Sequence, residues 1–169
     1  NTRVLTNGIG IPLERIDRMI DAGLGNFSIS LDSMYPARFD YICEYDGSWD
    51  EAVATMVHIG RRLHGKKGAL PTINCVVSNL NLEELPDIVR FAKDIGFAVS
   101  FLPIELLQNA KDGVRNWEAR FIRHRPEMGL NSNDSAEQVL LRIERAYQQI
   151  IKMKQEGWPI LNSTPYLQS

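Results

Sequence analysis

The stretch Phe27-Ser28-Ile29-Ser30-Leu31-Asp32 alternates apolar and small polar side chains without a break. Successive side chains of a strand point to opposite faces. Phe27, Ile29 and Leu31 therefore share one face, and Ser28, Ser30 and Asp32 share the other. The apolar face demands a covering layer. The polar face demands partners, because a buried polar group without one costs about 1–3 kcal/mol.

Strand and helix patterns alternate along the rest of the 169-residue chain. Arg3 to Thr6 is a short extended run that stops at Asn7-Gly8, a turn signal. Pro12 suits the first turn of a helix, Leu13, Ile16, Met19 and Ile20 fall on one helical face, and Gly23 ends it. Pro36 to Cys43 predicts a short helix. Ser48 and Glu51 have capping-box spacing ahead of an apolar stripe of Val53, Met56, Val57 and Leu63. Residues 64–68 read as a polar loop, and Thr72 to Val77, rich in β-branched residues, as the next strand. Asn81 and Glu84 repeat the capping spacing before a stripe of Leu85, Ile88, Val89, Ala92 and Ile95, closed by Gly96. Pro86 falls in the first turns, where it does not break the helix. Ala98 to Pro103 is a fourth strand.

Residues 106–134 form a long connection with little periodicity beyond a short helix around 114–124, and connections of that length tend to be functional or disordered. Ser135 and Gln138 open a long helix with a stripe of Val139, Ile143, Ala146, Tyr147, Ile150 and Ile151. Trp158 to Leu161 is expected as a fifth strand, and Ser163 and Pro165 as the start of a further helix. The first strand, with nothing before it, suggests a chain truncated at its N-terminus. This β-α order predicts an α/β fold with a parallel sheet and right-handed crossovers, open or closed into a barrel. In both forms chemistry sits at the carboxyl ends of the strands.

Polar residues collect there. In the third strand Thr72, Asn74, Val76 and Ser78 share one face, and Ile73, Cys75 and Val77 the other. Thr6 and Asn7 end the first strand, and Glu105 follows the fourth. Inner barrel positions are seldom polar, so Ser30 and Asn74 read as ligand contacts. Asp32 and Ser33 read equally well as turn or cap residues. The set contains no histidine and suits holding a polar ligand better than acid–base catalysis.

Charge and cysteine usage narrow the classes. The formal net charge is −2, with no general pull toward nucleic acid or an anionic membrane. No apolar run is long enough to span a bilayer, and no signal-peptide pattern opens the chain. A cytoplasmic location is expected. Cys43 and Cys75 lie far apart with no Cys-x-x-Cys spacing, so they read as reduced, buried thiols and no metal site is expected from this chain. His58 reads as structural and His64 as an exposed loop residue. Arg115, Arg120, Arg123, His124 and Arg125, with Trp117 and Phe121, read as a solvated amphipathic helix, with phosphate contact as the competing reading.

Four segments together carry a family resemblance: Leu5-Thr6-Asn7-Gly8, Ser28-Ile29-Ser30-Leu31-Asp32-Ser33, Ile73-Asn74-Cys75-Val76-Val77 and Ser100-Phe101-Leu102-Pro103-Ile104-Glu105. In this order they resemble the third to sixth strands of radical S-adenosylmethionine enzymes, in the branch of the molybdenum-cofactor biosynthesis protein that acts on GTP and the SPASM-type enzymes. The resemblance implies a partial, six-stranded TIM-like (β/α) barrel, here from the third strand onward. Residues 1–169 would be its C-terminal portion, with a core over 3–105, the connection over 106–134, and a helix and terminal segment over 135–169.

The resemblance also implies chemistry. A three-cysteine loop after the first strand binds a [4Fe–4S] cluster, S-adenosylmethionine chelates it, and reductive cleavage gives a 5′-deoxyadenosyl radical that abstracts a substrate hydrogen. An electron donor is implied. Ser30 matches a serine that contacts S-adenosylmethionine, Asn74 a polar position near it, and Glu105 or its neighbour Ile104 the region beside the adenine. Ser28, Thr6 and Asn7 complete the expected cofactor-binding set. The cysteine loop and a glycine-rich second-strand motif are absent, so the chain alone is expected to be inactive. Leu5 and Thr72 stand where a threonine and a lysine contact GTP, which argues against GTP and leaves a peptide or another small molecule as substrate. Two other classes compete: a non-radical α/β-barrel enzyme of aldolase or isomerase type, and a non-catalytic α/β module.

Overall fold

The computed structural model describes residues 2–103 and 136–168. In chain order the elements are β1 (Arg3–Thr6), α1 (Leu13–Asp21), β2 (Asn26–Ser30), α2 (Pro36–Cys43), α3 (Ser48–Leu63), β3 (Thr72–Val77), a 3-10 turn (Leu82–Glu84), α4 (Leu85–Asp94), β4 (Ala98–Pro103), α5 (Ala136–Gln155) and α6 (Thr164–Gln168). The expected connection over 106–134, the basic stretch within it and Glu105 lie outside the described residues.

The four strands form one parallel sheet in the order β1-β2-β3-β4. Consecutive order with every pair parallel has a structural consequence. Right-handed crossovers that always step in the same direction stack their helices on the same side of the sheet. The four-stranded parallel sheet is consistent with a partial barrel. The free edge of β4 is extended by a parallel bridge between Val99 and Ile160. Asn162 reinforces it, accepting from the Phe101 N–H at 2.7 Å and donating to the Phe101 carbonyl at 2.8 Å. The expected fifth strand is thus a single bridge, finished by a side chain that copies a strand's pairing.

The core lies between the sheet and the helices. Phe27, Ile29, Leu31, Ile73, Cys75, Val77, Val99 and Phe101 meet Ile16 and Ile20 of α1, Met56 and Ile59 of α3, Ile88, Val89 and Ala92 of α4, and Ala146 and Ile150 of α5. Burying a side chain of this size contributes roughly 1.5–3 kcal/mol. Gly60 lets α3 approach its neighbour closely: a Cβ there would lie 2.1 Å from the Ile95 carbonyl oxygen.

Neither capping box forms. Both helices have caps with no side-chain hydrogen bond, Gly47 for α3 and Glu84 for α4, and Asn81 likewise makes none as the cap of the intervening 3-10 turn. The start of α3 is instead held by Asp40 of α2, whose carboxylate accepts from the Gly47 N–H, the Trp49 N–H and the Ser48 hydroxyl at 2.8–2.9 Å. These bonds hold the Asp40 carboxyl below its ordinary range, the Trp49 N–H most of all.

The two glutamates are drawn away to neighbouring loops. Glu51 accepts from the Gly10 N–H in the β1–α1 loop at 2.8 Å. Glu84 accepts from the Met34 N–H in the β2–α2 loop at 2.7 Å. A carboxylate on the first turn of a helix satisfies a loop amide at least as well as its own cap, and a charged acceptor strengthens the bond.

Candidate functional site

The strand register decides which polar residues come together. Ser30 pairs with Asn74, and Asn74 with Ser100, so the three form one row across β2, β3 and β4. Their neighbours on the same face are Leu5, Ser28, Thr72 and Ala98 one row below, and Val76 and Leu102 one row above. None of these joins the core cluster, which takes the opposite face. Ser30 is exposed, Asn74 and Ser100 are half-buried, and Leu5 and Leu102 are 73% and 44% exposed.

Sequence parity places Ser30 and Asn74 together, as expected. It also holds for Ser28 and Thr72, but both are buried, at 3% and 1% exposure, beneath the Ser30 row. Thr6 falls elsewhere. It pairs with Ile29 in the helix-facing row, and its Oγ1 accepts from the Gly8 N–H at 3.1 Å. Asn7 follows with its Oδ1 accepting from the Ile9 N–H at 3.1 Å. These two side chains shape the turn after β1, as short polar side chains do at strand ends. Gly8 is required in that turn. Its φ is +78°, and a Cβ would lie 3.1 Å from Ile29 and 3.3 Å from Ala52.

The sequence alone does not single out Ser100. Its signal is the parity of Ala98, Ser100 and Leu102 within β4, visible only once the register with β3 is known.

Above the row, the strand ends are joined by side chains. The ladder between β2 and β3 ends where Leu31 N–H donates to the Asn74 carbonyl. Asp32 continues it with its carboxylate, which accepts from the Val76 N–H at 2.7 Å. Burial pushes the Asp32 carboxyl up to about 6, and the Val76 bond opposes that shift. Asn81, wholly buried, donates to the Asp32 and Val76 carbonyls at 2.7 Å and accepts from the Ser78 N–H at 2.8 Å. Ser33 is wholly buried and donates to Glu84 at 2.7 Å. For Asp32 and Ser33, then, the turn and support reading describes their bonds.

The cysteines do not fit an iron–sulfur cluster. Cluster ligands are thiolates. Cys75 is fully buried in the helix-facing row beside Phe101, and burial, aided by Asp32 and Glu84, holds its thiol well above the ordinary range. Burial also raises Cys43. Among the described residues no group of three or more His, Cys, Asp or Glu is placed to hold a metal ion. His58 is bonded to Asp17 at 2.8 Å between α3 and α1, a structural role as expected.

A broad depression of about 720 Å³ lies at the other end of the sheet, lined by Val4, Met19, Leu24, Lys66 and Lys67 among others. It opens at the amino ends of β1 and β2, away from the Ser30 row. Ser30 is the last residue of β2, and the carboxyl ends of parallel strands, not the size of a depression, are where chemistry sits.

No protein-family model matches the chain. Curated relatives do. The PqqA peptide cyclase of Methylocella silvestris is 31% identical over 98 residues, covering 56% of this chain and 24% of that protein. The probable GTP 3′,8-cyclase of Methanocaldococcus jannaschii is 27% identical over 106 residues, 57% of this chain and 32% of that protein. This chain is a homologue of PqqA peptide cyclases and GTP 3′,8-cyclases. The molybdenum cofactor biosynthesis protein 1 of Drosophila melanogaster, 32% identical over 105 residues, extends the set, with 59% of this chain and 16% of that protein covered. These are radical S-adenosylmethionine enzymes, the family the strand-end segments resemble. The matches span only about a quarter to a third of the first two relatives' own length.

Proposed function

We propose that this chain supplies the ligand-holding strands of a radical S-adenosylmethionine enzyme that acts on a peptide or small molecule. The observation that carries the reading is the row of Ser30, Asn74 and Ser100, in register on the sheet face turned away from the core. Hydroxyl and carboxamide groups offer donors and acceptors without a charge to neutralise. They suit the amino, carboxylate and ribose groups of S-adenosylmethionine. In this reading Ser30 and Asn74 contact the cofactor, with Ser100 beside them. Glu105, or its neighbour Ile104, is the candidate for the adenine contact. Ser28, Thr6 and Asn7 support the row from below and from the first turn.

The family's chemistry is reductive cleavage of S-adenosylmethionine at a [4Fe–4S] cluster, followed by hydrogen abstraction. This chain's two cysteines do not provide that cluster, so its ligands would come from residues outside the chain, and the 169 residues alone would be inactive. The work of these residues is to bind and orient. The location would be cytoplasmic, with an external electron donor. The described residues contain no helix long and apolar enough to cross a membrane.

The test is an anaerobic preparation of the protein in which this chain is joined to a cluster-bearing segment, assayed with a reductant. The reading predicts iron, the absorption of an iron–sulfur protein and 5′-deoxyadenosine formation, with Ser30→Ala raising the S-adenosylmethionine concentration needed for half-saturation. A colourless protein that binds no S-adenosylmethionine would favour the non-catalytic module. Turnover of a carbonyl or phosphate substrate without S-adenosylmethionine would favour the aldolase or isomerase class.

A further inference from the structure

Glu84 is 2% exposed, yet it lies at the start of a helix, where a carboxylate is usually solvated. Taking a carboxylate out of water is costly unless it is paired and hydrogen-bonded. Every bond shown for it reaches the same neighbouring segment. Its Oε2 accepts from the Ser33 hydroxyl and from the Met34 N–H, both at 2.7 Å, and its Oε1 pairs with the Arg38 guanidinium. Ser33 then passes the constraint on, accepting from the Tyr35 N–H at 3.0 Å. Arg38 lies over the Tyr35 ring, 5.2 Å from its centre.

These groups form one braced unit. Residues 31–35 leave β2 directly after Ser30, and Glu84 stands at the end of the connection leaving β3, the strand that carries Asn74. Glu84 joins the two connections with a buried charge, and Asn81 joins them again through the Asp32 carbonyl. The course of the chain beyond the last ladder bond, directly after Ser30, is therefore set from outside the row.

We infer that Glu84 is a positioning residue for the ligand site, fixing the loop that leaves β2 directly after Ser30 and with it the orientation of Ser30 at the strand's end. The inference rests on the proposed role of that row. Glu84 touches neither the row nor any ligand. It acts through Ser33, Met34 and Arg38.

The test measures S-adenosylmethionine affinity by anaerobic calorimetry for the protein in which this chain is joined to a cluster-bearing segment, at a temperature where each variant is fully folded by circular dichroism. The variants are Glu84→Ala, Glu84→Gln and, as a control, Ile59→Val, which trims the core under α3 away from the strand ends. Glu84→Ala is expected to weaken binding about tenfold, the scale of one lost hydrogen bond to a charged group. Glu84→Gln keeps an acceptor for the Met34 N–H and should recover most of that loss. Ile59→Val should lower the melting temperature without changing affinity. Equal affinity for Glu84→Ala and the unaltered chain, with both folded, would overturn the inference. So would an Ile59→Val control that weakens binding as much as Glu84→Ala. Should the unaltered chain bind no S-adenosylmethionine, the proposed function of the row fails, and hydrogen exchange judges the brace on its own. A Met34 amide no more protected in the unaltered chain than in Glu84→Ala would then overturn the positioning claim.

Discussion

Asn81 Nδ2 donates to the Asp32 carbonyl oxygen at 2.7 Å, across 49 residues of sequence. The same amide reaches the Val76 carbonyl, and its oxygen takes the Ser78 N–H. One wholly buried side chain thus satisfies three backbone groups where β2 and β3 part. Asn81→Ala strands all three, at about 1–3 kcal/mol for each group that finds no water. We expect a loss of about 3 kcal/mol in urea unfolding. Asn81→Asp, which keeps the acceptor and removes the donors, should be nearly as damaging.

Asp32 makes stability depend on pH. Its carboxyl is raised from 3.8 to about 6 in the folded chain. Between those values the native state binds more protons than the unfolded one, so stability falls as pH rises through the window and the penalty is complete above about 6. Asp32→Asn keeps an acceptor for the Val76 N–H and removes the titration. Denaturation curves at a series of pH values should show the variant gaining on the original chain from pH 4 to 6, by at most about 3 kcal/mol.

Gly60 and Gly10 make a matched pair. A Cβ at position 60 meets the Ile95 carbonyl at 2.1 Å, whereas at position 10, with φ at +67°, nothing lies within 4 Å. Gly60→Ala should destabilise by about 2 kcal/mol or more, because overpacking against backbone outweighs the better helix propensity of alanine. Gly10→Ala should cost only the strain of a left-handed alanine, about 1 kcal/mol. Thermal unfolding of both variants checks the order.

These bonds also show where the sequence runs out. Strands β3 and β4 occupy the residues that their composition predicts, and the alternation in Phe27 to Asp32 places Ser30 opposite the core. Both are local properties. The capping boxes at Ser48 and Asn81 are local as well, and they mislead, because Glu51 and Glu84 find acceptor roles 41 and 50 residues away. Thr6 reads as a site residue by position in a motif, yet its register with Ile29 turns it to the helices. Ser100 joins the row only through that same register. Spacing along the chain carries periodicity; it does not carry the choice among competing long-range partners.

The most direct measurement is a nitrogen–proton correlation spectrum of the isotopically labelled protein in which this chain is joined to a cluster-bearing segment, prepared anaerobically and titrated with S-adenosylmethionine. Saturable shifts at the Ser30, Asn74 and Ser100 amides, lost in a Ser30→Ala/Asn74→Ala double variant that keeps its fold, are the predicted result. Shifts confined to Met19, Leu24 and Lys66 at the amino ends of the strands, or no shifts at all, would contradict it.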